Sequence, residues 1–442
     1  MVGAGGLFAP TIRHYNGTFY IVCTNVAAEG EDFAAENFLI NCRDIWSGDW
    51  SDPIPLDLHG IDPSLFVDDE GRAYLQGSFR LDRMEQPTST IKQYEIDLHT
   101  GKRVSDIREI WPGHAKIYTE GPHIYKKDGY YYLLVAEGGT FEHHQLSIAR
   151  ARDVWGPYES CPSNPILTAD GTDEAGQDAG HGELFQDEAG VWWATVLGVR
   201  KDGPRYPMGR ESFLCPVEWP KDLWPRISHP QVSFDRPGMP SKIAIGRSLL
   251  SRSPRVDDCY IRSPDESSYR FQADQAWLKG SRATLSAPTG TSTFIGKRQR
   301  SKACSASAIL VCAGASIAQS PVAGLVVYKD DVRHAAMLFD QNTGELQLTL
   351  RNNEPEDRLL ATLHIGRPIV SLQLRITASV SRYEFLWKVR CTDKWCMLGG
   401  VDTLEMTCRD FTGTIFGLHA WAPEDDRKAW VQFREFAVRA SS

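Results

Sequence analysis

The chain has 442 residues, of which 42 % are hydrophobic and 24 % charged, and its formal net charge is −9 at pH 7. This length exceeds one ordinary hydrophobic core, and the composition is that of a globular protein with two or three domains. Because 57 acidic residues outnumber 48 basic ones and the basic residues form no long block, we expect no nucleic-acid partner.

The N-terminal stretch MVGAGGLFAPTIRHYNG lacks the basic and apolar regions of a signal peptide, and no apolar run reaches the roughly 18 residues of a membrane span. The chain as written therefore predicts a cytoplasmic protein without a membrane partner, and secretion stays open if N-terminal residues are missing. The ten cysteines form no C-x-x-C pair, which favours reduced thiols. Cys391 and Cys396 are close enough in sequence for a local disulfide.

Four similar hairpin patterns occupy the first half of the chain. Each has a short apolar strand, a turn at N-G, E-G, D-G or A-G, and a second strand rich in aromatic and β-branched residues. They are FAPTIRHYNGTFYIVCTN, IDPSLFVDDEGRAYLQGS, TEGPHIYKKDGYYYLLVAEGG and HGELFQDEAGVWWATVLG, starting at residues 8, 61, 119 and 181. Their spacings of 53, 58 and 62 residues (61−8, 119−61, 181−119) are typical of propeller blades, and helical periodicity is scarce between them.

The innermost strand of a propeller blade begins near the central channel, so residues just ahead of each hairpin should meet there. The pattern places Ala9, Asp62, Glu120 and His181 at these positions. We therefore expect these four residues to converge on one pocket.

The composition changes after about residue 235. The stretch FDRPGMPSKIAIGRSLLSRSPR is rich in Pro, Ser and basic residues and predicts a linker at 236–259. Beyond it, alternating segments such as AGLVVYKD, AAMLFD, GELQLTL, YEFLWKV and AWVQFREFAV predict an antiparallel sandwich over 260–442. The predicted propeller domain covers 1–235, so the whole fold is expected to be all-β.

The motifs GLFAP, GIDPSLFxDDEGRAY, TEGPHIYKKDGYYYL and GHGELF, in this order, resemble family 43 glycoside hydrolases of the β-xylosidase and α-L-arabinofuranosidase branch. Later segments, YPMGRESFLCPVEW, YIRSPDESSYRF and STFIGKRQR, resemble the same branch into its C-terminal concanavalin-like sandwich. The resemblance implies a five-bladed propeller and inverting hydrolysis of pentosides in xylan or arabinan oligosaccharides. Xylose and arabinose specificity, like the oligomeric state, stays open.

The resemblance also assigns catalytic roles. Glu120 matches the general acid and Asp62 the residue that tunes and orients it. An inverting enzyme protonates the leaving oxygen while a second carboxylate, roughly 6.5–9.5 Å away, activates water. An ionised neighbour raises the pKa of the acid and so keeps its proton in place, which is the role expected of Asp62 beside Glu120. Taken alone, either acidic residue would be read as part of a turn.

Other candidates follow from the same resemblance. His181 matches an axial histidine beneath the sugar, which contacts a metal ion or water, and a satisfied structural histidine is the alternative. Arg200 matches a substrate-facing position, with a salt-bridged arginine as the alternative. The resemblance requires no cofactor and admits a Ca²⁺ ion in the propeller channel. Weaker candidates for lining the pocket are Phe8, Phe38, His143 and His144, which could equally be core aromatics and solvated loop histidines.

No stretch of the chain matches the family's first blade, which carries the catalytic base. The GLFAP motif of the second blade already begins at residue 6. Asp32 and Glu36 are weak substitutes, since nothing in the repeat places them opposite Glu120. We expect four blades of five and impaired hydrolysis. The sequence leaves three interpretations: a truncated β-xylosidase-type enzyme, a genuine short form that binds sugar like a lectin, or a fructan-active hydrolase, whose W-M-N-D-P-type start is also unmatched.

Overall fold

The computed structural model describes residues 5–29, 32–82, 84–234, 257–312, 320–366, 369–391, 393–409, 411–422 and 429–440. Across these ranges the regular structure consists of thirty β-strands and two short 3₁₀ turns. The expectation of an all-β protein is therefore confirmed. The chain divides into two compact units, residues 1–200 with 211–235 and residues 201–210 with 236–442.

The first unit contains four antiparallel sheets, each built from consecutive strands. Sheet 1 orders its strands as β1-β2-β3-β4 and sheet 2 as β5-β6-β7-β8. Their bounds are β1 Gly6–Tyr15, β2 Thr18–Glu29, β3 Asp32–Cys42, β4 Ile54–Leu56, β5 Ile61–Val67, β6 Ala73–Arg80, β7 Ser89–Ile96 and β8 Arg108–Trp111. Each sheet is thus one blade of the predicted propeller.

The third and fourth sheets repeat this plan. Sheet 3 runs β12-β11-β10-β9, with β13 also paired to β11, and sheet 4 runs β14-β15-β16-β17. Their bounds are β9 Glu120–Lys127, β10 Tyr130–Glu137, β11 Gln145–Ala151, β12 Glu159–Ser160, β13 Leu167–Thr168, β14 Gln177–Gln186, β15 Trp192–Val199, β16 Arg210–Glu218 and β17 Arg226–Ile227. The four predicted hairpins are β1-β2, β5-β6, β9-β10 and β14-β15.

The apolar cores of the first unit lie between successive sheets. One cluster joins sheets 1 and 2 through residues such as Leu39 and Leu75. A second joins sheets 2 and 3, and a third joins sheets 3 and 4 around Tyr132 and Trp219. Because both faces of a middle blade are covered, strands such as β5 and β6 are buried almost continuously instead of alternating.

The second unit is a two-sheet sandwich, as the alternating segments predict. One sheet runs β18-β19-β30-β21-β26-β27-β28 and the other β20-β29-β22-β23-β24-β25. The bounds are β18 Tyr269–Gln272, β19 Gln275–Lys279, β20 Thr293–Arg298, β21 Cys304–Val311, β22 Val322–Asp330, β23 Arg333–Asp340, β24 Glu345–Asn352, β25 Arg358–His364, β26 Ser371–Ala378, β27 Arg382–Lys388, β28 Cys396–Asp402, β29 Ile415–Trp421 and β30 Trp430–Ala440, with 3₁₀ turns at Glu266–Ser268 and Thr403–Met406.

The domain limits differ from the prediction at one place. Residues 201–210, which precede most of β16 in the chain, group with the second unit, where Arg205 pairs with Asp402 at 3.0 Å. The predicted linker at 236–259 lies outside the described residues except for positions 257–259. Cys391 and Cys396 are exposed free thiols, so the local disulfide does not form in this structure. Within the described ranges, no helix has the length and hydrophobicity needed to cross a membrane.

Candidate active site

The innermost strand of each of the four blades contains a residue in left-handed backbone conformation, in its first half. These residues are Ala9, Asp62, Gly121 and His181, with φ of 41°, 56°, 56° and 42°. At the same point the pairing of each inner strand with its neighbour shifts register. Such bulges re-aim side chains and are common beside active sites. In the third blade the left-handed position is Gly121, so Glu120 stands one residue ahead of the equivalent position.

Three residues of the inner strands lie close together. Side-chain donor atoms of Asp62, Glu120 and His181 all lie within 4.8 Å of one another. The His181 Nδ1 is 3.8 Å from the Glu120 Oε1. Asp62 is only 6 % exposed, and the other two side chains are partly buried. The expected convergence of these three residues is therefore present in the structure.

Gly121 holds two members of this cluster in place. Its N–H donates to the Asp62 Oδ2 at 3.1 Å, which orients that carboxylate. A Cβ atom on residue 121 would lie 2.8 Å from the His181 Nε2, closer than real Cβ contacts. Glycine is therefore required here both for the positive φ and for the close approach of the imidazole.

The backbone ahead of Glu120 is fixed by hydroxyl groups of the second blade. The Ser78 Oγ and Ser89 Oγ donate to the carbonyl oxygen of Thr119 at 2.6 and 3.0 Å. Thr119 is fully buried. The peptide that carries Glu120 thus has its acceptor satisfied from two directions, which limits how far the acidic side chain can shift.

A second tier of polar residues lies two positions further along the inner strands. It comprises Ser64, His123 and Glu183, joined by Arg13 from β1. The Ser64 Oγ is 3.0 Å and the Arg13 Nη2 3.4 Å from the His123 Nδ1. Arg13 also forms an ion pair with Glu183. The first and fourth blades of the described chain are therefore linked by charge across the inner face.

Burial controls the protonation of this second tier. It lowers the pKa of His123 to about 4, while the Glu183 carboxylate opposes this shift and Arg13 and His181 reinforce it. Burial also disfavours the ionised form of Glu183, but His123 and Arg13 outweigh it, so the pKa of Glu183 lies below its usual value. Near neutral pH the tier consists of a neutral imidazole beside an ion pair.

The sequence motifs did not single out Arg13, Ser64, His123 or Glu183. Three of them occupy equivalent places in the repeat, two residues after Asp62, Gly121 and His181. A period of two along each inner strand sends Ser64 and Glu183 to the same face as Asp62 and His181, and His123 occupies the equivalent place in the third blade. That offset is the signal from which the tier could have been predicted.

Arg200 is engaged by a carboxylate of the neighbouring strand. Its Nε and Nη2 donate to the two oxygens of Glu211 at 2.8 and 2.6 Å. This bidentate pair corresponds to the salt-bridge alternative, and the substrate-facing role of Arg200 stays a prediction. Arg200 follows β15, the second strand of its sheet, and therefore does not belong to an inner strand.

The weaker candidates are dispersed over the first unit. Phe8 is half-buried on β1, and Phe38 is half-buried on β3, opposite Cys23 of β2. His143 lies in an exposed loop, where its Nδ1 is 2.6 Å from the Asp170 Oδ2, and this contact raises the pKa of His143. The buried His144 Nδ1 is 3.1 Å from the Asp178 carbonyl oxygen, whereas His143 remains solvent-facing.

Neither substitute base occupies an inner strand. Glu36 is exposed on β3, which is the third strand of sheet 1 counted from the inner edge. The backbone of Asp32 starts the same strand. The strand order therefore gives no support to either residue as a catalytic base.

The three-residue cluster also has the donor types of a cation site. Its two carboxylates and one imidazole can supply ligands, but Ca²⁺ takes six to eight oxygen ligands. Water would have to provide several of them. The donor set thus fits a partly hydrated cation.

Comparison with known families gives a match over both units. Residues 1–225 match the model of glycosyl hydrolases family 43. Residues 257–439 match the β-xylosidase C-terminal concanavalin A-like domain. The second match agrees with the sandwich found beyond residue 260.

Known relatives cover most of the chain. A non-reducing end α-L-arabinofuranosidase of Bacteroides ovatus is 31 % identical over 94 % of this chain and 78 % of its own length. A xylosidase/arabinosidase of Butyrivibrio fibrisolvens is 33 % identical over 77 % of this chain and 68 % of its own length. The crystal structure of a xylan β-1,4-xylosidase from Bacillus halodurans superposes with a TM-score of 0.83 at 29 % identity, covering 99 % of this chain and 87 % of the other.

Proposed function

Because the chain belongs to glycoside hydrolase family 43 and is a hydrolase of its xylosidase and arabinofuranosidase type, we propose that it removes terminal xylosyl or arabinofuranosyl residues from xylan- or arabinan-derived oligosaccharides with inversion. The observation that carries this proposal is the cluster of Asp62, Glu120 and His181 at the inner strands of three blades. In this proposal Glu120 is the general acid, and His181 contacts the sugar from below.

Asp62 is proposed to orient Glu120 and to keep it protonated. The Asp62 carboxylate accepts the N–H of Gly121 and is almost fully buried, so its charge is fixed beside the acid. A nearby negative charge opposes ionisation of a second carboxyl group, which suits a residue that must donate a proton.

Asp62 and Glu120 do not form the acid–base pair of an inverting enzyme. Their nearest oxygens lie within 4.8 Å, whereas water between the two groups requires a separation of roughly 6.5–9.5 Å. The base must then be a third carboxylate, and no third acidic group joins this cluster in the described ranges. We infer that this polypeptide, assayed as it stands, hydrolyses pentosides about 10²–10⁴-fold more slowly than an enzyme that also has the catalytic base.

The competing chemistry is a retaining mechanism with Asp62 as nucleophile. In retaining enzymes the two carboxyl groups are only about 5–5.5 Å apart, so the short distance between Asp62 and Glu120 also fits this chemistry. A nucleophile must present an oxygen to the anomeric carbon. The Asp62 Oδ2 is bound by Gly121 and the residue is 6 % exposed, which favours an orienting role.

Azide can test this assignment, since a small anion can replace a base-activated water. The assay follows 2,4-dinitrophenol release from the β-xyloside and the α-L-arabinofuranoside, with and without azide, and NMR identifies the first sugar product. We expect azide to raise the rate by about tenfold or more and to give a glycosyl azide of inverted configuration. A full rate without azide, with retained configuration, would contradict the proposal. Sugar binding without turnover even in azide would favour the lectin-like function.

We also propose that hydrolysis needs no resident cofactor. Arg13 already supplies a positive charge next to Glu183 in the second tier. This charge would repel a Ca²⁺ ion in the channel. Treatment with a chelator is expected to leave the azide-supported rate unchanged within about twofold. Loss of the rate, restored by Ca²⁺, would show that the cation is required.

A further inference from the structure

Glu137 is a fully buried acidic residue for which the proposed reaction has no use. It ends β10, directly after Ala136, which pairs with Glu120 across the third blade. A carboxylate in the protein interior is costly unless hydrogen bonds or charges compensate it. The groups that surround Glu137 therefore indicate what it does.

The loop that leads into β9 supplies the donors. The Lys116 N–H donates to the Glu137 Oε1 at 2.9 Å and the His114 N–H to its Oε2 at 3.2 Å. The Thr119 hydroxyl donates to the Pro112 carbonyl oxygen at 2.8 Å and lies 3.3 Å from the same Oε1. A Cβ on Gly113 would lie 2.2 Å from the Glu137 Oε1, so the loop wraps closely around the carboxylate.

Thr119 connects this arrangement to the acid. Its side chain contacts Glu137, and its carbonyl oxygen accepts the hydroxyl groups of Ser78 and Ser89. The next residue in the chain is Glu120. The position of the Glu120 backbone is thus set from the loop side by Glu137 and from the second blade by two serines.

We propose that Glu137 is a positioning residue for the general acid, acting through Thr119 and the 113–119 loop without touching the substrate. The proposal rests on the assignment of proton donation to Glu120. A misplaced acid should slow the reactions that need a proton on the leaving group and spare those that do not. A residue that only stabilised the fold would slow both kinds of reaction alike.

Asp68 offers a matched control in the same unit. It is 4 % exposed and accepts the N–H groups of Glu70 and Arg72 at 3.1 and 2.8 Å, so it also organises a loop through backbone donors. Its loop is the β5-β6 turn, at the opposite end of β5 from Asp62. Asp68→Asn therefore removes a buried carboxylate, which also pairs with the Arg72 guanidinium at 2.8 Å, from another loop of the same unit.

The experiment compares kcat and KM for dinitrophenyl and methyl pentosides, both the β-xylosides and the α-L-arabinofuranosides, in azide with the whole chain. Dinitrophenolate leaves without a proton, whereas methanol requires one. For Glu137→Gln we expect kcat on the methyl glycosides to fall about 10–100-fold, with the dinitrophenyl rate within about threefold and KM within about twofold. Asp68→Asn should change both rates by the same factor.

A second variant covers the case in which Glu137→Gln does not fold. Ser78→Ala removes one donor to the Thr119 carbonyl and should show the same leaving-group selectivity, at about three- to tenfold. Equal losses on both substrates in Glu137→Gln and Ser78→Ala would overturn the positioning role. If Glu120→Gln itself shows no leaving-group dependence, the proposed function fails, and this proposal fails with it.

Discussion

Both units bury polar groups, among them His419 in the sandwich, but their strands are patterned differently. In the sandwich, strands such as β21 and β26 alternate, sending apolar side chains inward and polar ones outward. In the propeller unit, Asp62, Ser64 and His123 are buried on inner strands. Left-handed residues occur in both units. In the sandwich Arg262, Ala273 and Asn353 lie outside strands and Glu435 lies on β30, whereas every blade has one on its inner strand, at the level of the candidate site.

This difference separates residues that hold the fold from residues that perform chemistry. Buried polar groups and strained backbone are unfavourable unless compensated, and they concentrate where function requires them. The sandwich follows the ordinary rules of apolar burial throughout its largest cluster. The inner rim of the propeller departs from those rules in four successive blades, which agrees with its choice as the candidate active site.

The largest effect on stability should come from the sandwich core. Phe433 on β30 is fully buried, and Phe433→Ala should lower the free energy of unfolding by about 3–5 kcal/mol through lost contacts and a cavity. Urea denaturation measures this loss. The ratio of methyl to dinitrophenyl glycoside rates should not change in the folded fraction. A changed ratio would show that the sandwich core also shapes the chemistry.

Breaking the ion pair between Arg13 and Glu183 should have a smaller effect. Glu183→Gln leaves the guanidinium uncompensated, and since both side chains are about a quarter exposed we expect a loss of about 2–3 kcal/mol. The double variant Arg13→Met with Glu183→Leu serves as a control, because it removes both charges. It should recover much of that loss in urea denaturation. A double variant as unstable as Glu183→Gln would contradict the importance of the charge.

Acid should destabilise both units through buried neutral histidines. Burial lowers the pKa of His123 in the propeller and of His419 in the sandwich to about 4, against 6.5 in the unfolded chain. Between these values the unfolded state binds protons that the folded state does not, so stability falls as pH falls below 6.5. Each histidine should cost about 2 kcal/mol by pH 5, and His123→Asn or His419→Asn should flatten its part of the pH profile. Unchanged slopes in both variants would disprove the prediction.

The smallest effect is expected at a single glycine of the inner rim. Gly121→Ala combines a left-handed φ with a clash against His181, whereas Gly17→Ala in the β1-β2 turn has the same kind of φ and open space. Both variants should lose about 1 kcal/mol of stability from backbone strain. Only Gly121→Ala should also lower kcat, by about tenfold. Equal kcat values in the two variants would show that catalysis does not require the close approach of His181 to residue 121.

Much of the architecture could be predicted from the sequence. Turn glycines and alternating segments predict the hairpins and the sandwich, because both patterns are local in the chain. The repeat also predicts that Asp62, Glu120 and His181 meet. The second tier and the burial of Glu137 were not predicted, since they depend on which side chains of distant strands face each other, and the pairing of Arg200 with Glu211 depends on register between neighbouring strands.

The central claim is that Glu120 donates the proton to the leaving group. The most direct measurement compares wild type and Glu120→Gln on dinitrophenyl and methyl pentosides in azide. We predict a loss of about 10²–10⁴-fold on the methyl glycosides, nearly unchanged dinitrophenol release and an unaltered melting temperature. An equal loss on both substrates, or none on either, would contradict the assignment.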